Sequence, residues 1–107
     1  MTKYLAALLL LISFSSQASS GWTGYGYVIE LVPTIHHRFK VNIDLEGNKS
    51  GCKEEQWFYQ DYDVSGAREM YLALLEAVSS NRIVRVYVTG RCNINDYAEI
   101  SELGIRP

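Results

Sequence analysis

SGAREMYLALLEAVSSNRIVRVYV, residues 65–88, is the stretch that decides the fold. Its first half repeats with the period of a helix. Met70, Tyr71, Leu74, Leu75 and Val78 fall on one stripe, with Arg68, Glu69, Glu76 and Ser79 on the other side. This predicts a helix over Ala67–Ser79 whose apolar stripe faces a core, with Leu72 close to the core's margin. Ser65 is placed to cap its start, and the acids just before suit the positive end of the helix dipole. Asn81 can take the left-handed turn that stops it. Ile83–Val88 (IVRVYV) then changes the period. It is dense in β-branched and aromatic residues and reads as a strand.

Three strands are predicted ahead of the helix. Gly24–Val32 (GYGYVIELV) is rich in aromatic and β-branched residues, and Pro33 ends it. His37–Leu45 alternates, with Phe39, Val41, Ile43 and Leu45 on one face and Arg38, Lys40, Asn42 and Asp44 on the other, as in a half-buried antiparallel strand. Glu46–Gly51 is turn chemistry. Gln56–Gln60 (QWFYQ) is a short third strand with three consecutive aromatics, of which at least one must point outward. After Val88, Thr89–Asp96 is a loop holding Cys92. Tyr97–Ile105 is a fifth strand, interrupted near Gly104 or by a bulge around Ser101-Glu102. The order β-β-β-α-β-β is that of a small five-stranded OB barrel, in which the helix plugs one end. A plain α+β sandwich is the alternative.

Residues 1–18 read as a secretory signal peptide. Lys3 gives the positive start, Tyr4–Phe14 is an uncharged apolar run, and Ser16-Gln17-Ala18 offers small residues at a cleavage site. The run is shorter than the ~20 residues a bilayer span needs, and no second run follows. The chain is therefore expected to be exported, periplasmic or secreted, and not membrane-spanning. Residues 19–107 then form a single domain. Loss of Lys3 takes the formal charge from −2 to −3. Such a domain has no general field for phosphate backbones or anionic lipid, which argues against nucleic acid as a partner.

Cys52 and Cys92 are the only cysteines. In an oxidising compartment an isolated pair is most simply a disulfide. It would close a loop of about 41 residues, worth roughly 4 kcal/mol in the chain-entropy account. A thiol-redox role would want a C-x-x-C spacing, which is absent.

Catalytic and metal signals are thin. Asp61-x-Asp63-x-Ser65-Gly66 copies the first half of an EF-hand loop, but the twelfth position, where calcium needs a bidentate Glu, is Leu72. The stretch reads as a turn leading into the helix. His36-His37 is the only histidine pair, and neighbours on a strand point to opposite faces. Asn48-Lys49-Ser50 matches a glycosylation acceptor, a triplet common by chance. There is no G-x-S-x-G elbow and no paired acid–base constellation. The expectation is no catalytic residue, no metal and no cofactor, hence no enzyme.

The aromatics carry more. Trp22, Tyr25 and Tyr27 precede or open the first strand, and Tyr59 lies in the third. Tyr and Trp offer an apolar face to a sugar ring and a polar handle to its hydroxyls. These four are the candidate ligand-binding residues; packing within the barrel is the competing use of each.

The start Gly21-Trp22-Thr23-Gly24, the helix Ala67–Ser79 followed by Arg82–Val88 (RIVRVYV), and the placement of Cys52 and Cys92 resemble the B subunit of subtilase cytotoxin and small exported bacterial proteins of that kind. The resemblance covers most of Gly21–Ile105. It implies an OB fold with a disulfide from the region between the second and third strands to the segment after the fourth. It also implies a glycan-binding surface and, for the toxins, a pentameric ring that binds sialylated glycans. Where the toxin subunits carry an acidic residue and a serine after W-T-G, this chain has Tyr25-Gly26-Tyr27. The expected function is an exported, non-enzymatic binding module for a glycan, as a monomer or a homo-oligomer. The alternative is a protein-interaction subunit of the envelope or secreted space with no small-molecule site.

Overall fold

The structure is a computed structural model that describes residues 19–107; the signal-peptide reading of residues 1–18 lies outside the described residues. Six strands and one helix follow in order: β1 (Gly21–Trp22), β2 (Gly26–Pro33), β3 (Arg38–Asp44), β4 (Trp57–Asp61), α1 (Ala67–Ser80), β5 (Ile83–Val88) and β6 (Ala98–Arg106). β2 pairs with β3, β3 with β4, and β4 in parallel with β6. β6 pairs antiparallel with β5, and β5 returns to β2, so the sheet closes on itself. A ring β2-β3-β4-β6-β5 with one parallel seam is the OB-like barrel, and the open α+β sandwich is set aside.

Alternation fills the barrel. Phe39, Val41 and Ile43 on β3, Phe58 on β4, Val84, Val86 and Val88 on β5, and Ala98 and Ile100 on β6 form one buried cluster. Gln60 is the polar member of this layer. Its Nε2 donates to the Ile100 carbonyl at 2.8 Å and its Oε1 accepts the Asp61 N–H at 2.7 Å, so the buried amide is satisfied.

The first strand predicted from the sequence starts at Gly26 rather than Gly24, and a short β1 outside that reading precedes it. Thr23, Gly24 and Tyr25 stand opposite only Val86 and Arg85, so the chain bulges between β1 and β2. The Thr23 hydroxyl accepts the Val86 N–H at 3.1 Å and donates to the Gly24 carbonyl at 2.9 Å, replacing the missing ladder bond. A second bulge displaces Ile29 on β2. The bulge expected on the last strand is present: Tyr87 pairs with Glu102 and Val88 with Ile100, leaving Ser101 over.

The helix packs differently from its sequence stripe. Ala67, Leu74 and Ala77 are buried, with Met70 and Tyr71 packed against the core, whereas Leu72, Leu75 and Val78 are exposed. The small side chains at Ala67 and Ala77 let the helix approach closely and turn that face inward. Tyr71 and Tyr62 lie against Phe39, both at 5.8 Å between ring centroids, which places the helix on the Phe39 end of the core. Ser65 is not the cap. Gly66 holds that position at φ 88°, with no side-chain capping bond, and Asn81 ends the helix at φ 56° as expected.

The Cys52–Cys92 disulfide is formed. The two cysteines stand the same number of residues ahead of Phe58 and Ala98, which face each other in the parallel pair. That seam has only two register pairs, so the bond clasps the two segments entering a short junction of the ring.

Candidate binding site

One end of the closing seam carries an open groove of about 500 Å³, lined by Gly24, Tyr25, Gly26, Tyr27, Asp44, Leu45, Glu46 and Ile83. The bulge creates it. Three residues crossing the space of two lift Tyr25 off the barrel wall, while Tyr27 follows on β2 facing Ile83 on one side and Asp44 on the other. Gly26 sits between the two tyrosines where β2 crosses β3 so closely that any Cβ would overlap the Asp44 carbonyl. The Gly24 N–H donates to the Glu46 carbonyl at 2.9 Å and fixes the far wall. The groove thus combines two phenol rings with two exposed carboxylates, Asp44 and Glu46.

Of the four aromatic candidates, Tyr25 and Tyr27 line the groove and Trp22 and Tyr59 do not. Tyr27 is 48% exposed and offers an open ring. Tyr25 is half-buried, with the Arg106 guanidinium 4.0 Å from its ring centroid. Trp22 stands alongside, its ring covered by Arg85 at 4.2 Å and meeting Tyr87 edge-on at 5.5 Å. Tyr59 is a correction. It points outward from β4, but the loop after β5 covers it and leaves it 2% exposed. Burial, and then the Glu99 carboxylate, push its hydroxyl above the usual tyrosine range. Tyr59 is a packing residue of a small outer layer, next to Trp57 stacked on Tyr97 at 5.4 Å.

Sequence reasoning missed Arg85, Arg106, Asp44 and Glu46. Arg85 lies in the outward row Ile83, Arg85, Tyr87 of β5, while Val84, Val86 and Val88 are buried. An arginine inside a β-branched run was the available signal. Arg85 is 5.4 Å from the Tyr25 centroid, so both guanidinium groups bear on one ring.

The two motif readings end elsewhere. Asp61, first position of the EF-hand-like stretch, accepts the Arg38 Nε–H at 2.8 Å, a half-exposed ion pair between β3 and β4. His36 and His37 are exposed at the β2–β3 turn, where His37 takes φ 59°. Among the described residues no cluster of three or more His, Cys, Asp or Glu forms a metal-type group, and no helix is long and apolar enough to cross a membrane.

No family model, curated protein or solved structure matches this chain.

Proposed function

We propose that this chain is an exported, non-enzymatic binding module whose ligand is a glycan. The observation that carries the reading is the groove in which an open Tyr27 ring lies beside the carboxylates of Asp44 and Glu46. Pyranose rings present a C–H face that packs on an aromatic ring. Their hydroxyls donate to carboxylates, which only accept hydrogen bonds. A shallow groove with a few convergent polar groups suits a surface-bound sugar better than a reaction that must exclude water. The resemblance to subtilase cytotoxin B subunits supports the same ligand class, and the apolar run and cysteine pair support export.

The test is a glycan array probed with the folded protein and with Tyr27→Ala. Capture of a defined glycan set, weakened about tenfold or more by Tyr27→Ala, is expected. A blank array across neutral and acidic glycans removes the reading.

A second reading has its own observation. Leu72, Leu75 and Val78 expose apolar side chains along α1, at 55%, 42% and 36%. An exposed apolar row of this kind fits a protein-interaction subunit. Loss of self-association or of partner capture on Leu72→Ser, with the array unchanged, would favour it over the glycan groove.

A further inference from the structure

Two arginines beside the groove are held without an acid. Among the described residues, the salt bridges engage Arg38, Arg82 and Arg91, and neither Arg85 nor Arg106 has a carboxylate within 4.0 Å. Glu102, opposite Tyr87, is the other diagonal neighbour of Arg85 and lies more than 4.0 Å from its guanidinium. Arg106 faces Ile83 and Arg85 faces Gly104, so the two side chains are diagonal neighbours across β5 and β6, within reach of each other's ligands.

Arg85 is built in rather than loose. Arg85 lies between the Trp22 ring and Gly104, where even a methyl group would come 3.2 Å from its Cγ and 3.3 Å from its Nε. Its Nε is buried and has no hydrogen-bond partner. A buried donor on a charged group left unpaired is costly, as is a second cation on the same tyrosine ring. The second cost falls when an oxyanion approaches the guanidinium groups, which form bidentate bonds to planar or tetrahedral oxygens; the buried Arg85 Nε stays out of its reach.

We propose that Arg85 and Arg106 form an oxyanion site of charge two, selective for phosphate or a phosphate monoester. Charge decides the class. Two guanidinium groups without an ion-pair partner match a group carrying about −1.5 to −2 at neutral pH, whereas a carboxylate brings one negative charge and leaves one cation unpaired. The site is local. It sits in a domain of negative formal charge, so it draws on no general basic field, and binding depends on these two side chains. It also stands independently of the glycan reading, because it uses neither Tyr27 nor Asp44.

The test is a titration of the folded protein with inorganic phosphate at low salt, following the arginine Nε–H signals by two-dimensional NMR. Saturable shifts of the Arg85 and Arg106 signals are expected, absent with acetate and with chloride at matched ionic strength. Arg106→Gln, an exposed position, should weaken phosphate about tenfold and leave the melting temperature unchanged. Glucose 6-phosphate titrated in parallel separates the sources: tighter binding than inorganic phosphate assigns a phosphosugar, and equal binding assigns the free anion. No saturable shift, or equal shifts with acetate, overturns the proposal. A blank glycan array with an intact phosphate response removes the glycan reading alone.

Discussion

Gly26 and Asp44 meet backbone to backbone where β2 crosses β3, with no room between them for a side chain of any size. The contact seats the two tyrosines on either side of Gly26 and sets the floor of the groove. Gly26→Ala must push β2 away from the Asp44–Leu45 backbone, and Gly26 is one of only two β2 residues paired with β5. The expected loss is about 3 kcal/mol or more, a fall in melting temperature of roughly 15 °C. Gly66→Ala is the control. Nothing lies near its Cβ position, and only its φ of 88° opposes the change, so the loss is about 1 kcal/mol. Thermal melts of the two variants should rank in that order.

Thr23 holds the bulge. Its buried hydroxyl accepts the Val86 N–H and donates to the Gly24 carbonyl. Thr23→Val keeps the shape and removes both bonds, leaving a buried amide unpaired at a cost of about 1–3 kcal/mol. Thr23→Ser should restore most of the loss. Hydrogen exchange at the Val86 amide reads the bond directly, and fast exchange in Thr23→Val with slow exchange in Thr23→Ser is the expected pair of results.

Removing the disulfide tests the clasp. The bond joins residues 40 apart in sequence, so the double variant Cys52→Ser, Cys92→Ser should lose roughly 4 kcal/mol in the chain-entropy account. Denaturant melts of oxidised protein and double variant give the difference. An unchanged midpoint would mean that the β4–β6 seam holds without it.

Alkali should destabilise the protein through two phenols, the buried Tyr59 and the partly buried Tyr62. Burial, then Glu99, raises the Tyr59 hydroxyl, and burial, then Tyr71, raises that of Tyr62. The unfolded chain releases these protons near pH 10, while the folded chain still holds them. Their contribution to stability is therefore fully present below about pH 10 and is lost as the pH rises through the raised range. Melting temperatures followed upward from about pH 9 should fall steeply for the native protein and less steeply for Tyr59→Phe.

Much of the barrel was legible because burial is one-sided. Phe39, Val41 and Ile43 alternate with Arg38, Lys40 and Asn42, and the structure keeps that division. Asn81 was legible because few residues other than glycine accept a left-handed φ. The helix stripe misled because side-chain size, not hydrophobicity alone, chose the inward face: Ala77 is buried and Val78 exposed. Tyr59 misled for a related reason. Its outward orientation follows from strand periodicity, but its cover comes from a distant loop. The arginine pair was beyond local pattern altogether. Arg85 and Arg106 become neighbours only through the β5–β6 register, which the extra residue Ser101 shifts at its far end.

The clasp at the β4–β6 seam has a consequence for the reduced chain. Two register pairs and the Gln60 amide join those strands, and without Cys52–Cys92 their separation leaves two unpaired strand edges with free N–H and C=O groups. Such edges accept strands from other molecules as readily as from their own. The bond therefore keeps neighbouring copies from adding to the sheet as well as keeping one copy folded. Protein made in a reducing compartment should be lost to aggregation before it is lost to simple unfolding.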